Sequence, residues 1–534
     1  MSKIDAIRLK NLRCFEDTGF LDLKPITILV GRNSAGKSTF ARMFPLLRQS
    51  AEEDKRSPIL WFGKLVDFGS FSTAIKKGTE NKEISISFRF QTVISLRTQP
   101  EPDLFDERSK QKLRKKYSRE GDTSVELELV LKQNERTGVT YAALIEVTIF
   151  ENKCRLECDE NGGVSKLLIN EQDLTPTDSF GCSLNQRNIL PSLQYFQTRK
   201  LKFEGVERTL RMRISPFLAG IRSRIEEGVH GKTNEDTIQS LINSILIGTK
   251  SDIRASLLNS RFCTATSREN FTKLFRRKSY SDSFNNLLFA HVFPKIIENV
   301  DDTLAEIASS VRYVEPLRAT AQRYYRSQDL AVDEIDSKGT NVAMYIDSLS
   351  ASERERLNEW MSKYFGVEVS SRSEGGHVTL LLQTQESKGT GTNIADLGVG
   401  FSQMLPIVLQ LWQATLPPAF RKRVKRSEEN TCIVIEQPEL HLHPAYQARI
   451  ADVMLASIVD SGSIVRSTQI IAETHSPHLI NRLGELISEG KLSHKDVKII
   501  IFQDSFESGS AEARTSDFDE KGILKNWPFG FFEA

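Results

Sequence analysis

Cysteine is scarce in this chain. Six thiols (Cys14, Cys154, Cys158, Cys182, Cys263 and Cys432) are scattered through 534 residues. That is no disulfide framework, so reduced thiols and a cytoplasmic protein are expected. An excess of one charge is also missing: 72 Lys+Arg stand against 70 Asp+Glu, for a net charge of +2. A globally basic nucleic-acid coat is excluded, although local basic patches are not. No stretch approaches 18 consecutive apolar residues, so no membrane-spanning helix is expected. The opening Met-Ser-Lys-Ile-Asp-Ala-Ile-Arg has no apolar secretory core, and no signal peptide is read there. No internal repeat is seen, and sustained heptads are lacking, so no long coiled-coil arm is expected. What remains is a globular composition, 39% hydrophobic and 27% charged. At roughly 100–200 residues per domain, the length suggests about three units.

The pattern of apolar residues divides the chain. Ile4 to Leu9 alternates, Leu21 to Leu23 can pair with it, and Ile26 to Val30 is a β-branched run suited to a strand buried on both faces. Residues 84–95 and 124–170 alternate with period two and predict half-buried antiparallel strands. Residues 185–310 have few Gly and Pro and read as an inserted helical lobe. Strand texture returns at Val311–Val314, Val378–Leu382, Cys432–Ile435, Gln469–Ala472 and Val497–Phe502, with a helix over Ser402–Ala414. The expected domains are 1–175, 176–310 and 311–534.

Gly31-Arg32-Asn33-Ser34-Ala35-Gly36-Lys37-Ser38 matches G-x-x-x-x-G-K-[ST] at every fixed position and lies between a strand and a helix. In such a loop, backbone N–H groups converge on phosphate oxygens and the helix N-terminus adds its positive end. Gly31, Asn33, Ser34, Ala35, Gly36, Lys37, Ser38 and Thr39 are therefore the nucleotide-binding candidates. Lys37 is expected to reach the β- and γ-phosphates, and Ser38 to ligate Mg²⁺. Far downstream, Thr431 to Ile435 is an apolar strand ending in Glu436. That carboxylate, expected beside the P-loop strand, is the second Mg²⁺ candidate.

GRNSAGKST, IVIEQPELHLHP and IAETHSPHLI, in this order and spacing, resemble the ABC/SMC-like ATPase heads, and among them the RecF/OLD-like, AAA15-type bacterial ATPases. DLGVGFSQMLP and GILKNWPFGFF are similar to strings in such chains. The resemblance covers roughly residues 1–90 and 311–534. Size and layout are also similar to the retron- and Septu-associated PtuA-type antiphage ATPases.

The resemblance implies an α/β P-loop NTPase head with a mixed central sheet, an antiparallel β subdomain and the helical insertion. It implies ATP and Mg²⁺ as cofactors, and a homodimer or higher oligomer with ATP sandwiched between heads. One head's signature segment, with Gly398, Gly400 and Ser402, would close on the γ-phosphate held by the other. His475 takes the position of the switch histidine. Related heads carry two adjacent acids at the strand end. Here the second is Gln437, an amide that can orient water but cannot take its proton. Glu439 is a possible substitute, and slow hydrolysis follows. The implied function is control of a separate effector, a nuclease, in antiphage defence.

Two rivals stand beside this reading: a DNA-repair ATPase that grips DNA itself, and a nucleotide-loaded scaffold that hardly turns over. Nucleic acid remains an open partner; no membrane contact is expected. His441, His443, His475 and His478 have metal-like spacings without a supporting ligand pattern. Cys154 and Cys158 read as ordinary thiols, and Asp517-Phe518-Asp519 only superficially echoes a Toprim nuclease. The basic clusters Arg108–Arg119, Arg276–Lys278 and Arg421–Arg426 suit a solvated face as well as an anionic partner. Tyr313 to Arg326 is dense in Arg and Tyr, with nucleotide sensing and nucleic-acid contact both open. The aromatic run Trp527 to Phe532 is expected to pack on the head or on a partner.

Overall fold

The computed structural model describes residues 3–92, 123–176, 180–203, 206–327, 332, 334–384, 391–416, 430–459, 467–504 and 510–527. The basic clusters 108–119 and 421–426 and the aromatic residues 529–532 lie outside these. The chain forms two compact units. One comprises residues 1–4, 50–60 and 78–305; the other comprises 5–49, 61–77 and 306–534.

The second unit is built on parallel strands. Ile26–Gly31 is buried at all six positions, as its β-branched run demands. Ser467–Glu473 pairs with it on one side and Val497–Asp504 on the other, both parallel. Asn430–Glu436 pairs parallel with Ser467–Glu473, and Val311–Val314 with Asn430–Glu436. Ala511–Phe518 then adds antiparallel to Val497–Asp504, which makes the sheet mixed. This order corrects the expectation that Glu436 ends a strand next to the P-loop strand: the Glu473 strand lies between them. Crossover helices relieve consecutive strands of any need to be neighbours, and no local sequence signal specifies the skip.

Ile26, Ile28 and Val30 share one core with Met404, Ile407, Leu411 and Trp412 of the helix Val399–Thr415. That helix begins slightly before the expected Ser402. Among the described residues a smaller sheet pairs Val367–Glu374 with His377–Thr384 behind the helix Ala351–Phe365. Phe502 packs against the rings of Phe15 and Phe40, with centroids 5.7 and 5.6 Å apart.

The first unit contains the expected antiparallel strands. Ile84–Thr92, Thr123–Gln133, Thr140–Ile149, Asn152–Cys158 and Val164–Ile169 form a meander with alternating burial. The helical reading fails at its start, because Phe180–Gln186, Pro191–Phe203 and Val206–Met212 form a three-stranded antiparallel sheet. Among the described residues Pro191, Leu193 and Tyr195, at alternate positions of its middle strand, are buried. Tertiary contacts fix this hairpin: the buried Asp301 carboxylate accepts from the N–H groups of Ile189 and Leu190, each at 2.8 Å. Helices begin at Leu218 and end in Lys278–Ser309, 32 residues long. Arg276, Arg277 and Lys278 are exposed.

Candidate nucleotide-binding site

The P-loop strand ends where only glycine fits. Gly31 has φ +151°, and a Cβ there would lie 2.3 Å from the Phe502 carbonyl oxygen. The loop Arg32 to Ser34 is exposed, and Ala35 turns inward. Gly36, at φ +101°, caps the helix Lys37–Ala41 against the Phe15 ring. Lys37 is 3% exposed. Its ammonium folds back to donate to the carbonyls of Gly31 (3.0 Å) and Arg32 (2.7 Å). Thr39 is buried beside it.

Two acidic strand ends meet this helix. Glu436 and Glu473 are register partners on neighbouring parallel strands. Ser38 Oγ donates to Glu473 Oε2 at 2.7 Å, and Glu473 Oε1 lies 3.9 Å from Lys37 Nζ. Arg42, one helical turn after Ser38, donates from Nε and Nη2 to the two oxygens of Glu436, both at 2.8 Å. The Tyr313 hydroxyl donates to Glu436 Oε1 at 2.6 Å. Beyond Glu436 the chain turns sharply, with Gln437 at φ +46° and its N–H donating to the Glu473 carbonyl at 2.8 Å. Glu439 reaches back to the neighbouring strand end, accepting from Thr474 Oγ1 at 2.8 Å and from the His475 N–H at 2.7 Å. Among the described residues His475 Nε2 is buried without a hydrogen-bond partner.

The signature segment packs against the same turn. Gly398, at φ +77°, precedes the helix, and a Cβ on Gly400 would lie 3.1 Å from the His441 carbonyl oxygen. Ser402 is buried and donates to the Val399 carbonyl at 2.8 Å, within its own helix. Gln403 accepts from the Arg318 N–H at 3.3 Å and donates to the Arg318 carbonyl at 3.0 Å. Arg318 Nη2 in turn donates to the carbonyls of Glu436 (2.7 Å) and Gln437 (3.3 Å). The structure thus gathers Gly31–Thr39, Glu436, Gln437, Glu439 and His475 at adjacent strand ends, with Gly400 close to the His441 carbonyl a few residues beyond Glu436.

The family model of the AAA ATPase domain, AAA_15, matches residues 2–480. The chain belongs to this AAA ATPase family. None of the curated proteins matches it. Among solved structures it is similar to an Smc head domain with extended coiled coil, bound to the C-terminal domain of ScpA, from Pyrococcus furiosus: 11% identity, TM-score 0.34, covering 96% of each chain. An SmcHead bound to the C-winged helix domain of ScpA gives 10% identity and a TM-score of 0.36, covering 98% of this chain and 100% of that one. The SMC head domain from Thermotoga maritima gives 9% and 0.32, covering 96% and 98%.

In this AAA ATPase, burial sets the electrostatics. Glu473 is pushed up to about 7, first by desolvation and then by the nearby Glu436 charge, against the Ser38 hydrogen bond and Lys37. Glu439 is raised by burial. His475 is lowered by burial and by Lys37, which favours the neutral imidazole. Burial lowers Arg318 to about 10, with Glu439 and Glu436 opposing.

The donor set suits the cofactors that the family implies. A hydroxyl and two carboxylates are hard oxygen ligands of the kind Mg²⁺ takes, and a buried ammonium is matched to phosphate. Among the described residues His475 Nε2 and Arg318 Nε and Nη1 are buried without hydrogen-bond partners, and a further polar group would satisfy them. Sequence reasoning missed Glu473 and Arg42, and it left Tyr313 and Arg318 inside a segment of open role. Glu473 had a signal, since it directly precedes Thr474-His475-Ser476 at a strand end. Arg42 sits four residues after Ser38, one turn along the helix. Arg318 lies in the singled-out YVEPLRATAQRYYR, where nothing assigned it a partner.

Proposed function

We propose that the protein binds ATP with Mg²⁺ at Gly31–Thr39, hydrolyses it slowly, and uses the bound state to bring two heads together and control a separate effector. The observation that carries this reading is the meeting of Lys37 and Ser38 with Glu473, whose register partner Glu436 ends the neighbouring strand. Ser38 and Glu436 are the metal-holding residues that the sequence favours. Mg²⁺ supplies charge neutralisation at the β- and γ-phosphates when bound. Lys37 provides a positive charge for phosphate, and burial keeps water from screening it. His475, favoured neutral, offers its Nε2 to a phosphate oxygen or a water.

Slow turnover follows from Gln437. Glu439 accepts one hydrogen bond on each oxygen from the Thr474–His475 loop, which supports the reading that it positions that loop more than it activates water. Without a carboxylate at the second position, proton acceptance from water is the weak step. This also favours a second reading, a nucleotide-loaded scaffold with negligible turnover.

Head pairing has support in exposed apolar side chains near the signature segment: Leu317 is 76% exposed, Tyr324 60% and Val399 49%. Arg323, in the same segment, pairs with Asp396 just before Gly398. An effector of nuclease type, an antiphage setting and a cytoplasmic location belong to this proposal through the resemblance. Among the described residues no helix is long and apolar enough to cross a membrane.

Replacing Lys37 with Ala tests the reading. ATP binding, followed by calorimetry, should be abolished, and ATP-dependent dimers should vanish from light scattering. Unchanged ATP affinity would remove the P-loop assignment.

A further inference from the structure

The carboxylate positioned at Ser38 is not Glu436. Both oxygens of Glu436 are occupied, Oε1 by Arg42 Nε and the Tyr313 hydroxyl and Oε2 by Arg42 Nη2. Glu473 instead accepts from the Ser38 hydroxyl through Oε2 and turns Oε1 toward the Lys37 ammonium. It is 3% exposed. Its backbone is fixed on both sides: Gln437 N–H donates to its carbonyl, and Thr474 N–H donates to the Leu29 carbonyl on the P-loop strand. The side chain therefore stands between the two P-loop groups that a metal–phosphate complex would use.

We infer that Glu473 is a metal-reading carboxylate, which makes nucleotide binding conditional on a divalent cation. The inference rests on the nucleotide reading of the P-loop. A phosphate brought to Lys37 and Ser38 without a cation meets the Glu473 carboxylate at close range, and its ionised form would repel that phosphate with little screening in so buried a place. Glu473 and Ser38 would hold Mg²⁺ as hard oxygen donors, and the bound cation would neutralise the charge between the carboxylate and the phosphate. Glu473 then favours the metal-loaded nucleotide and disfavours the bare one. A purely structural partner of Ser38 would affect both equally. Linkage requires the effect to be reciprocal, so nucleotide must also tighten metal binding through Glu473.

The test measures the affinity of a non-hydrolysable ATP analogue by calorimetry, in excess Mg²⁺ and in EDTA, for the full chain and for Glu473→Gln. The glutamine keeps an acceptor for Ser38 and removes the charge. The native chain should bind about tenfold or more tightly with Mg²⁺, the lower end of a typical coupling. In Glu473→Gln the EDTA affinity should rise, the Mg²⁺ affinity should fall, and their ratio should approach one. Mn²⁺ binding in the presence of the analogue, read by electron paramagnetic resonance, should weaken in parallel. Glu473→Ser gives the same comparison if the amide variant does not fold. A ratio unchanged from the native chain overturns the inference and leaves the P-loop reading intact. If the native chain binds no analogue under either condition, the P-loop reading falls and this inference with it.

Discussion

Arg42 holds Glu436 in a two-pronged grip, Nε to Oε1 and Nη2 to Oε2, both at 2.8 Å. The planar guanidinium matches the carboxylate fork, and the contact raises the Arg42 pKa, chiefly through that hydrogen bond. Glu436 is 1% exposed, so the grip compensates a charge that water cannot reach. Arg42→Ala should leave that charge with only Tyr313 and cost about 3–5 kcal/mol, the range for breaking one side of a buried pair. Chemical denaturation measures this. The double variant Arg42→Ala with Glu436→Gln should recover much of the loss, and its failure to do so would show that the pair is not the origin of the effect.

Gln437→Glu restores a carboxylate at the second acidic position. Turnover of the native chain should lie below about 1 s⁻¹, under the common enzyme median of about 10 s⁻¹. The variant should be faster by about 10²-fold, the lower end of general base catalysis. Continuous phosphate release measures both, and a native rate near the median would contradict the slow-ATPase reading.

Arg318 ties the signature helix, through Gln403, to the carbonyls of Glu436 and Gln437. Arg318→Met fills similar space without the donors. It should retain binding of an ATP analogue within a few fold and lose ATP-dependent pairing of heads. Light scattering with and without nucleotide would show dimers persisting if the link is irrelevant.

Lys55, in the first unit, supplies a pH-dependence of its own. Its ammonium donates to the Asn188 carbonyl, and burial lowers its pKa from 10.5 to about 8, against the pull of Asp301. Below pH 8 both folded and unfolded chains are protonated there, and the full burial cost applies. Between about pH 8 and 10.5 the unfolded chain binds more protons, so this group makes stability rise with pH. Lys55→Met should flatten that rise. Urea midpoints from pH 7.5 to 10 would reveal an unchanged slope if Lys55 is not its source.

Gly31→Ala should fail sterically. Its Cβ would meet the Phe502 carbonyl at 2.3 Å, at a φ of +151° that L-residues rarely adopt. Backbone strain of this kind costs about 1–3 kcal/mol before any repacking. Thermal melting checks it, and a native melting temperature would contradict the close approach.

The sequence by itself determined the glycine loop, the strand before it and the helix after it, because glycine spacing, β-branched burial and helix initiation are local properties. It also determined most strands of the parallel layer and the antiparallel meander, whose periodicities are carried by consecutive residues. Only the tertiary structure decided which acid meets Ser38. The Ser467–Glu473 strand enters between the P-loop strand and the Glu436 strand, a choice made by non-consecutive strand pairing and by packing on the Val399–Thr415 helix. The pairing of residues 180–212 as strands was decided in the same way: a buried carboxylate over 100 positions along the chain, Asp301, satisfies the turn between the first two strands. Such long-range hydrogen bonds leave no periodic trace in the segment they organise.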